Sequence, residues 1–455
     1  MSNDFDIVDF IKSTRENNCL SISELALQVG IKPVTLENIE KKKFNPDFNT
    51  VLAILKNLGF DINIVPSALE NNIENIDNFC SLVKNSEEQA ILSHFLHLQG
   101  SGFEIPYKKS ALQILQKLNL TLEQISKSIT PTFKSSINPS FTFIDLFAGI
   151  GGFRIALQNL GGKCVFSSEW NPAAQQTYFK NFGDIPFGDI TLPKTKEFIP
   201  KNFDVLCAGF PCQAFSIAGY QKGFEDTRGT LFFDIADILR VHRPKAFYLE
   251  NVKNLASHDN GNTFNTILRV LEKELGYNVF FQIMNPIEYA NIPQNRERVF
   301  IIGLDPTQIS TANSFEFPSK VKLTSTIHDC IEQNVSDEVF YYRETQRYYP
   351  ELIKGMKSKD TVYQWRRQYV RENKSNVCPT LTANMGAGGH NVPLILTDNG
   401  IRKLTPKECL NFQGFPKEYT FPNLAISKCY MQAGNSVTVP LIQRVATNLV
   451  KKITK

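Results

Sequence analysis

The stretch DVLCAGFPCQAFSIAG, residues 204–219, holds two cysteines in different surroundings. Cys207 lies inside an apolar, strand-like run, where a free cysteine packs as a small hydrophobic residue. Cys212 follows that run, on a turn that is stiffened by Pro211 and continues into small residues. Core packing does not explain a thiol placed just past a strand end, so Cys212 is a candidate for chemistry.

A second set of residues has the types needed to hold a nucleoside. In DLFAGIGGFR, glycines at a strand-to-helix turn let the backbone approach a ligand closely: Gly149, Gly151 and Gly152. The next predicted strand ends in Glu169, suited to ribose hydroxyls, and Trp170, suited to stacking on a purine. The alternatives are plain helix–strand packing for the glycines, and an exposed acid beside a core tryptophan for the pair.

Asp189, in the segment GDIT, is expected at the end of a third strand, where a carboxylate suits the exocyclic amine of an adenine. The sequence contains no GxxxxGK[ST] loop for binding phosphates. The predicted ligand is therefore a nucleoside without phosphates, which points to S-adenosylmethionine.

The elements that must position these residues are short buried strands that alternate with amphipathic stretches. FTFIDLF, KCVFSS, FDVLCAG and KAFYLENV each have the composition of a buried strand, and predicted helices such as RIALQNL follow three of them. This alternation predicts a parallel α/β sheet. From Phe315 to His390 it gives way to basic, aromatic and glycine-rich sequence, and helical segments resume at Thr405.

Length and composition bound the possible classes of protein. The 455 residues predict two or three domains. With 42% hydrophobic residues and no apolar run near the length of a membrane span, the chain is expected to be soluble. MSNDFDIVDFIK lacks the features of a signal peptide. Nine scattered cysteines without a CxxC pair, and six scattered histidines, argue against disulfides or a metal site and predict a reducing cytoplasm. The net charge of +4 permits nucleic-acid binding without indicating it.

Several ordered motifs resemble those of the bacterial C5-cytosine DNA methyltransferases of restriction-modification systems. They span residues 141–455 in family order: DLFAGIGGFR, GFPCQAFSIAG, ENV at 250–252, QNRERVFIIG at 294–303, RKLTPKECLNFQGFP at 402–416 and GNSVTVP at 434–440. The resemblance implies a Rossmann-like α/β catalytic domain that uses S-adenosylmethionine, residues 141–319 and 401–455. It also implies a smaller target-recognition domain, residues 320–400, that binds double-stranded DNA at a short, mostly palindromic site containing cytosine.

The resemblance assigns the catalytic residues by motif. Cys212 is expected to add as a thiolate to C6 of cytosine, which makes the ring an enamine whose C5 attacks the methyl group. Glu250 is expected to protonate or hydrogen-bond N3, which makes the addition easier. Arg298 is expected to contact O2, with Arg296 as a second cation; the alternative for both is a solvated RER stretch. The base must leave the stack, and the segment Gln213–Arg228 is expected to close over it.

The resemblance also extends the cofactor pocket beyond the glycine turn. GNSV, residues 434–437, belongs to it if the last helix returns beside the first strand. The members expected by resemblance are Phe147, Glu169, Trp170, Asp189, Pro211, Leu231, Asn435 and Val437.

Two stretches of the predicted target-recognition domain have the residue types that contact DNA. QWRRQYVRENK interleaves cations with aromatic residues, and its arginines are expected to bind phosphates and bases: Arg366, Arg367 and Arg371. TLTANMGAGGHNV begins with the pair Thr380 and Leu381 and carries the glycine cluster typical of these domains. The alternative is an ordinary basic loop.

Residues 22–60 resemble the helix-turn-helix of phage-repressor-like regulators, and the DNA-binding domain is expected to span residues 1–66. Gly30 is expected at the turn, with a second helix that begins near Lys32 and faces a major groove with Lys32, Thr35 and Asn38. The predicted core is Leu25, Ala26, Val29, Val34, Ile39, Val51, Leu52 and Leu55. The resemblance implies repression of the protein's own operon, and a helical interaction module is the alternative. Residues 67–140 resemble no family and are predicted as a helical linker region with a break at Gly100-Ser101-Gly102.

The expected protein is a DNA (cytosine-5)-methyltransferase that works as a monomer in the bacterial cytoplasm, without a metal. It is expected to protect its site from a cognate endonuclease. An RNA cytosine methyltransferase of the tRNA-modifying branch is disfavoured by the long 320–400 region and the N-terminal domain. A regulator with an inactive methyltransferase body is disfavoured because every catalytic position is filled.

Overall fold

The computed structural model describes residues 7–17, 20–43, 48–58, 79–136, 138–211, 231–366, 368–373, 375–388 and 390–454. The chain divides into two compact units, Met1–Ile73 and Glu74–Lys455. Cys212, the segment Gln213–Arg228 and Arg367 lie outside the described residues.

The N-terminal unit contains the predicted helix-turn-helix. Its helices are α1 (Ile7–Asn17), α2 (Ile22–Val29), α3 (Pro33–Glu40) and α4 (Phe48–Asn57). A capping box of Ser21 and Glu24 starts α2, and Gly30 ends it in the left-handed conformation, with φ 78°. Lys32 is the N-cap of α3. The turn and the start of the second helix are therefore confirmed.

The core of this unit follows the predicted pattern with one error. Leu25, Ala26, Ile39 and Leu55 are buried, and Val29 and Val51 are partly buried. Val34 is 56% exposed, so its prediction as a core residue is wrong. It lies two positions before the buried Leu36, which places the two side chains on opposite sides of α3. The side chain of Leu52 lies outside the described residues.

The second unit is built on a six-stranded sheet with the order β2-β1-β3-β4-β6-β5. Its strands are β1 (Phe141–Leu146), β2 (Gly162–Ser168), β3 (Val205–Gly209), β4 (Ala246–Val252), β5 (Asn278–Met284) and β6 (Arg298–Leu304). The pairs among β1 to β4 are parallel, as predicted. These strands are nearly continuously apolar because both faces of the sheet are covered.

Strand β6 departs from the predicted parallel sheet. It is antiparallel to both β4 and β5. Only the short helix Pro286–Tyr289 lies between β5 and β6, and the chain does not cross over the sheet there. Strand β6 therefore runs back beside β5 in the direction opposite to it.

A second, smaller sheet has the antiparallel order β10-β9-β7-β8. Its strands are β7 (Tyr363–Arg366), β8 (Tyr369–Glu372), β9 (Leu394–Thr397) and β10 (Gly400–Lys403). They lie in the stretch where the α/β alternation of the sequence fades.

Helices pack against both sheets of the second unit. They are α5 (Ser86–Leu98), α6 (Lys108–Leu118), α7 (Leu122–Ser128), α8 (Gly152–Gln158), α9 (Pro172–Phe182), α10 (Pro193–Lys196), α11 (Leu231–His242), α12 (Asn262–Arg269), α13 (Pro286–Tyr289), α14 (Tyr349–Gly355), α15 (Pro406–Asn411), α16 (Ile426–Asn435) and α17 (Val439–Ile453). Within the described ranges, no helix is both long and apolar enough to cross a bilayer.

The segment predicted as a linker region packs onto the sheet. Ile91, Leu92 and Phe95 of α5 share one hydrophobic core with Ile144 and Leu146 of β1. Helix α5 ends before the predicted break at Gly100, which has a positive φ of 74°. Helices α5 to α7 therefore form a layer, called here the helical layer, within the second unit.

Candidate active site

The glycine turn after β1 requires residues without side chains. Gly151, with φ 80°, is the N-cap of α8, and a Cβ added there would lie 2.2 Å from Cε2 of Phe182. A Cβ on Gly152 would lie 2.6 Å from Cγ2 of Val437. Among the described residues, a Cβ on Gly149 would meet only one neighbouring atom, at 4.0 Å, so these residues leave the space above Gly149 open.

Glu169 is tied to this turn. Its carboxylate accepts hydrogen bonds from the backbone N–H groups of Gly149 and Asn171, each at 2.8 Å. Burial raises the pKa of the Glu169 carboxyl above its usual range, and the backbone donors act in the opposite direction. Trp170 is 75% exposed. The arrangement is therefore the reverse of an exposed acid beside a core tryptophan.

Asp189 lies at the same edge of the sheet, but the structural element that carries it differs from the one predicted. The third strand is β3, so the expectation that Asp189 ends a third strand is wrong. Asp189 instead follows Phe187, which forms an isolated parallel bridge with Ser168 at the end of β2. The N–H of Glu169 donates to the carbonyl of Phe187 at 2.8 Å, so the segment carrying Asp189 runs beside Glu169. A single bridge residue gives no strand-length pattern to detect.

Glu250 and Arg298 form the charged centre of the site. Glu250 is buried near the end of β4, and Nε of Arg298 lies 3.1 Å from Oε1 of Glu250. The two residues meet because β6 is antiparallel to β4, which pairs Val252 with Arg298. Glu250 also pairs in register with Gly209 of β3, the strand that leads to Pro211 and Cys212. The motif residues of β3, β4 and β6 therefore meet at one edge.

Asn251 was missed by sequence reasoning. Its side chain is buried, and Nδ2 donates to the carbonyl of Phe210 at 2.9 Å. This bond fixes the backbone immediately before Pro211 and two residues before Cys212. A polar residue at the end of an apolar strand was the available signal.

Arg296 lies in a different environment from the one predicted for a second cation. Its guanidinium donates to the carbonyls of Leu381 at 2.7 Å, Ser436 at 2.6 Å and Gly434 at 3.3 Å. Burial and the neighbouring Arg298 lower the pKa of Arg296 to about 9. Its terminal nitrogens are engaged by backbone, so Arg296 connects the start of the TLTANM segment to the GNSV segment.

The remaining predicted cofactor residues lie on elements that border this edge. Phe147 has a positive φ of 53° in the turn after β1. Pro211 is exposed just after β3, and Leu231 is the first residue of α11. Asn435 is exposed at the end of α16, and Val437 is buried against Gly152.

Some of the predicted DNA-contacting residues are exposed to solvent, whereas others are bonded to or buried within the protein. Arg366 and Arg371 are exposed on the antiparallel strands β7 and β8. Thr380 donates its hydroxyl to the carbonyl of Asn295 at 2.6 Å, and Leu381 is buried. In the N-terminal unit, Lys32 is exposed, and Thr35 and Asn38 are half-buried. In the part of the chain that the structure describes, no group of three His, Cys, Asp or Glu side chains is placed to hold a metal ion.

Comparisons with known proteins agree with this architecture. The family model of the C-5 cytosine-specific DNA methylases matches residues 141–451, and a helix-turn-helix domain model matches residues 9–65. The chain is 50% identical over 315 residues to the Type II methyltransferase M.Bsp6I of Bacillus sp. (strain RFL6), covering 68% of this chain and 98% of that protein. It is 45% identical over 337 residues to the Type II methyltransferase M.HpaII of Haemophilus parainfluenzae, covering 71% and 93%.

A solved structure shares the fold at low sequence identity. The crystal structure of S. pombe Dnmt2 methyltransferase superposes with a TM-score of 0.51 and 18% identity, covering 68% of this chain and 98% of that chain. The family model covers well over half of the present chain. The chain therefore belongs to the C-5 cytosine-specific DNA methylase family.

Proposed function

We propose that this cytosine-5 DNA methyltransferase takes its methyl group from S-adenosylmethionine and acts on a cytosine extruded from a short duplex site. The observation that carries the proposal is the Glu250–Arg298 pair, 3.1 Å apart, at the sheet edge where β3 leads to Cys212. An acid and a cation at this edge match the N3 and O2 atoms of one cytosine ring.

The residues at the other half of the edge fit an adenosine-containing cofactor. The described residues leave space open above Gly149, and the N–H of Gly149 helps to orient the buried carboxylate of Glu169. Trp170 presents an exposed indole directly after Glu169, which suits stacking on a purine. When bound, S-adenosylmethionine supplies an electrophilic methyl group. Glu169 is proposed to bind the ribose hydroxyls, and Asp189 the exocyclic amine of the adenine.

The chemistry at cytosine is proposed to use residues of three strand ends. The thiolate of Cys212 forms a bond to C6, and Glu250 protonates or hydrogen-bonds N3, so that the ring becomes an enamine nucleophilic at C5. Arg298 holds O2 and positions the Glu250 carboxyl through its Nε, which lies 3.1 Å from Oε1 of that group. After C5 has gained the methyl group, loss of the C5 proton to water, return of the N3 proton to Glu250 and release of the Cys212 thiolate restore the aromatic ring. A stacked base cannot reach these groups, so the cytosine must flip out.

The DNA-binding roles of the two units are also proposed. Exposed Arg366 and Arg371 on the β7–β8 hairpin are proposed to contact the methylation site, with Arg367 beside them in sequence. The helix-turn-helix unit is proposed to bind an operator through Lys32, Thr35 and Asn38 and to repress its own operon.

The relatives favour DNA over RNA as the substrate. M.Bsp6I and M.HpaII, at 50% and 45% identity, are Type II methyltransferases, and a role in protecting DNA from a cognate endonuclease follows by analogy. The likeness to the Dnmt2 structure, at 18% identity, supports the fold alone.

Deletion of residues 1–73 is expected to abolish operator repression and leave the methylated sequence unchanged, because Met1–Ile73 is a separate compact unit. Bisulfite sequencing of DNA from cells expressing each form identifies the base and site, and gel shifts at one ionic strength measure operator binding. Transfer of tritiated methyl from S-adenosylmethionine to the mapped site tests the cofactor. Unmethylated DNA with the full chain, or a methylation site that moves after deletion, would contradict the proposal.

Trp170→Ala is expected to raise the KM for S-adenosylmethionine roughly tenfold with little change in kcat, since stacking contributes about 1–1.5 kcal/mol to binding. Steady-state kinetics at saturating DNA give both constants. Val241→Ala is the control, because Val241 is equally exposed at 76% and lies near the end of α11. Equal KM values for the two variants would show that Trp170 does not contact the cofactor.

A further inference from the structure

We propose that the helical layer completes the cofactor site, with Ser93 and His94 of α5 acting as positioning residues for the segment Asp184–Phe187. The inference rests on the proposed function, since it concerns the same S-adenosylmethionine site. The family model begins at residue 141, so the helical layer lies outside it.

The segment Asp184–Phe187 holds the backbone of the proposed ribose-binding residue. Phe187 donates its N–H to the carbonyl of Ser167 at 2.9 Å, and its carbonyl accepts the N–H of Glu169 at 2.8 Å. Asp189 follows two residues later. Any displacement of this segment therefore moves both proposed adenosine contacts, Glu169 and Asp189.

Helix α5 contacts this segment directly. Ser93 Oγ accepts the backbone N–H of Ile185 at 3.0 Å. The ring of His94 stacks on the ring of Phe187, with centroids 4.8 Å apart and an interplanar angle of 21°. Nε2 of His94 also lies 3.3 Å from the hydroxyl of Ser167 and 3.4 Å from Oδ2 of Asp184. Ser93 and His94 are fully buried, so these contacts replace solvent entirely.

The other end of the segment is tied to the glycine turn through a buried ion pair. Nη1 of Arg154, in the first turn of α8, lies 2.7 Å and 2.8 Å from the two carboxylate oxygens of Asp184. Nη2 of Arg154 lies 3.4 Å from Nε2 of His97, which is also 3.1 Å from the carbonyl of Cys164. Helix α5 thus closes a buried polar cluster that joins the turn after β1 to the segment after α9.

The protonation states suit such a fixed cluster. Burial, as the largest cause, lowers the pKa of His94 to about 4 and that of His97 to about 3, so both imidazoles are neutral near pH 7. Burial favours the neutral form of Asp184, but the charged guanidinium of Arg154 holds the pKa of its carboxyl below the usual range. Burial of a charged pair carries a desolvation cost, which is offset only where the pair has good geometry and further polar partners. His94 and His97 of α5 supply such partners beside Asp184 and Arg154.

The test uses the full chain and compares His94→Ala and Ser93→Ala with Leu115→Ala. Leu115 is a buried residue of α6 in the same layer, and its side chain makes no hydrogen bond. We expect His94→Ala to raise the Kd for S-adenosylmethionine, measured by calorimetry, roughly tenfold or more, the loss expected for a displaced binding group. The KM should rise in parallel while kcat at saturating cofactor stays within about threefold. His94→Phe, which keeps the ring stacked on Phe187, should recover part of the affinity.

Thermal unfolding of each variant separates positioning from stability. If Leu115→Ala lowers Tm as much as His94→Ala yet keeps wild-type Kd, the inference is supported. An unchanged Kd in Ser93→Ala and His94→Ala, with normal binding by the wild type, would overturn this inference alone. Absence of S-adenosylmethionine binding by the wild type would overturn the proposed function as well. Should His94→Ala fail to fold, Ser93→Ala decides, because it removes only one hydroxyl, which bonds to Ile185 and to the carbonyl of Ala90 within its own helix.

Discussion

Cys212→Ala is expected to abolish methyl transfer while duplex binding stays within roughly tenfold of the wild type, because the thiolate acts only in covalent catalysis. The nearby thiol of Cys207 offers no substitute nucleophile. It is fully buried in β3, and burial raises the pKa of that thiol well above its usual range.

Covalent trapping on modified DNA tests directly whether Cys212 forms a bond to the cytosine ring. Duplex containing 5-fluorocytosine at the mapped site should capture the wild type as a covalent complex, because fluorine at C5 cannot leave as a proton does. Cys212→Ala should form no adduct, and the control Cys207→Ala should form as much as the wild type. Residual turnover by Cys212→Ala, or no adduct with the wild type at a verified site, would refute the assignment of the nucleophile.

Glu250→Gln is expected to lower kcat roughly 10²-fold or more, the loss typical of a positioned acid. Glutamine has the same shape, and its amide oxygen still accepts from Nε of Arg298, so the local geometry should persist. Binding of S-adenosylmethionine should change little, because Glu250 lies on β4 and the Glu169 carboxylate is tied to the turn after β1.

Single-turnover kinetics with preformed enzyme–DNA complex isolate the chemical step for this variant. Glu297→Gln is the matched control, since Glu297 precedes Arg298 directly but pairs with Lys253 in an exposed salt bridge. The control should keep the wild-type rate. A Glu250→Gln rate within a few-fold of the control would mean that this carboxyl does not assist addition to the ring.

Strands β1 to β4 could be predicted from the sequence because both faces of the sheet are buried there. The apolar composition of FTFIDLF and KAFYLENV alone predicts a strand, and the structure has β1 and β4 at these segments. The direction of β6 could not be predicted in the same way, because it depends on how the chain returns from β5. The Glu250–Arg298 pair follows from that direction, so the sequence motif indicated the residues but not their contact.

When a side chain binds backbone atoms that are distant in the sequence, the residues around it show no pattern that would predict the contact. Arg296 binds carbonyls as far away as Ser436, and Asn251 binds the carbonyl of Phe210. Nothing in a charged RER stretch distinguishes a buried arginine from a solvated one. The contact of His94 with Phe187 could not be predicted either, because the two residues lie in segments that no sequence motif connects.

The packing of α17 on α8 can form only after most of the chain has been synthesised. Asn159 and Gln443, which are hydrogen-bonded, are 284 residues apart, and Val437 contacts Gly152 across a similar span. At about 5–20 residues per second, a ribosome needs roughly 15–60 s to make the chain between them. Until then the glycine turn lacks its C-terminal neighbour, whereas Met1–Ile73 has its own core and is synthesised first. If this unit binds an operator as proposed, each nascent molecule becomes able to repress before it becomes able to methylate.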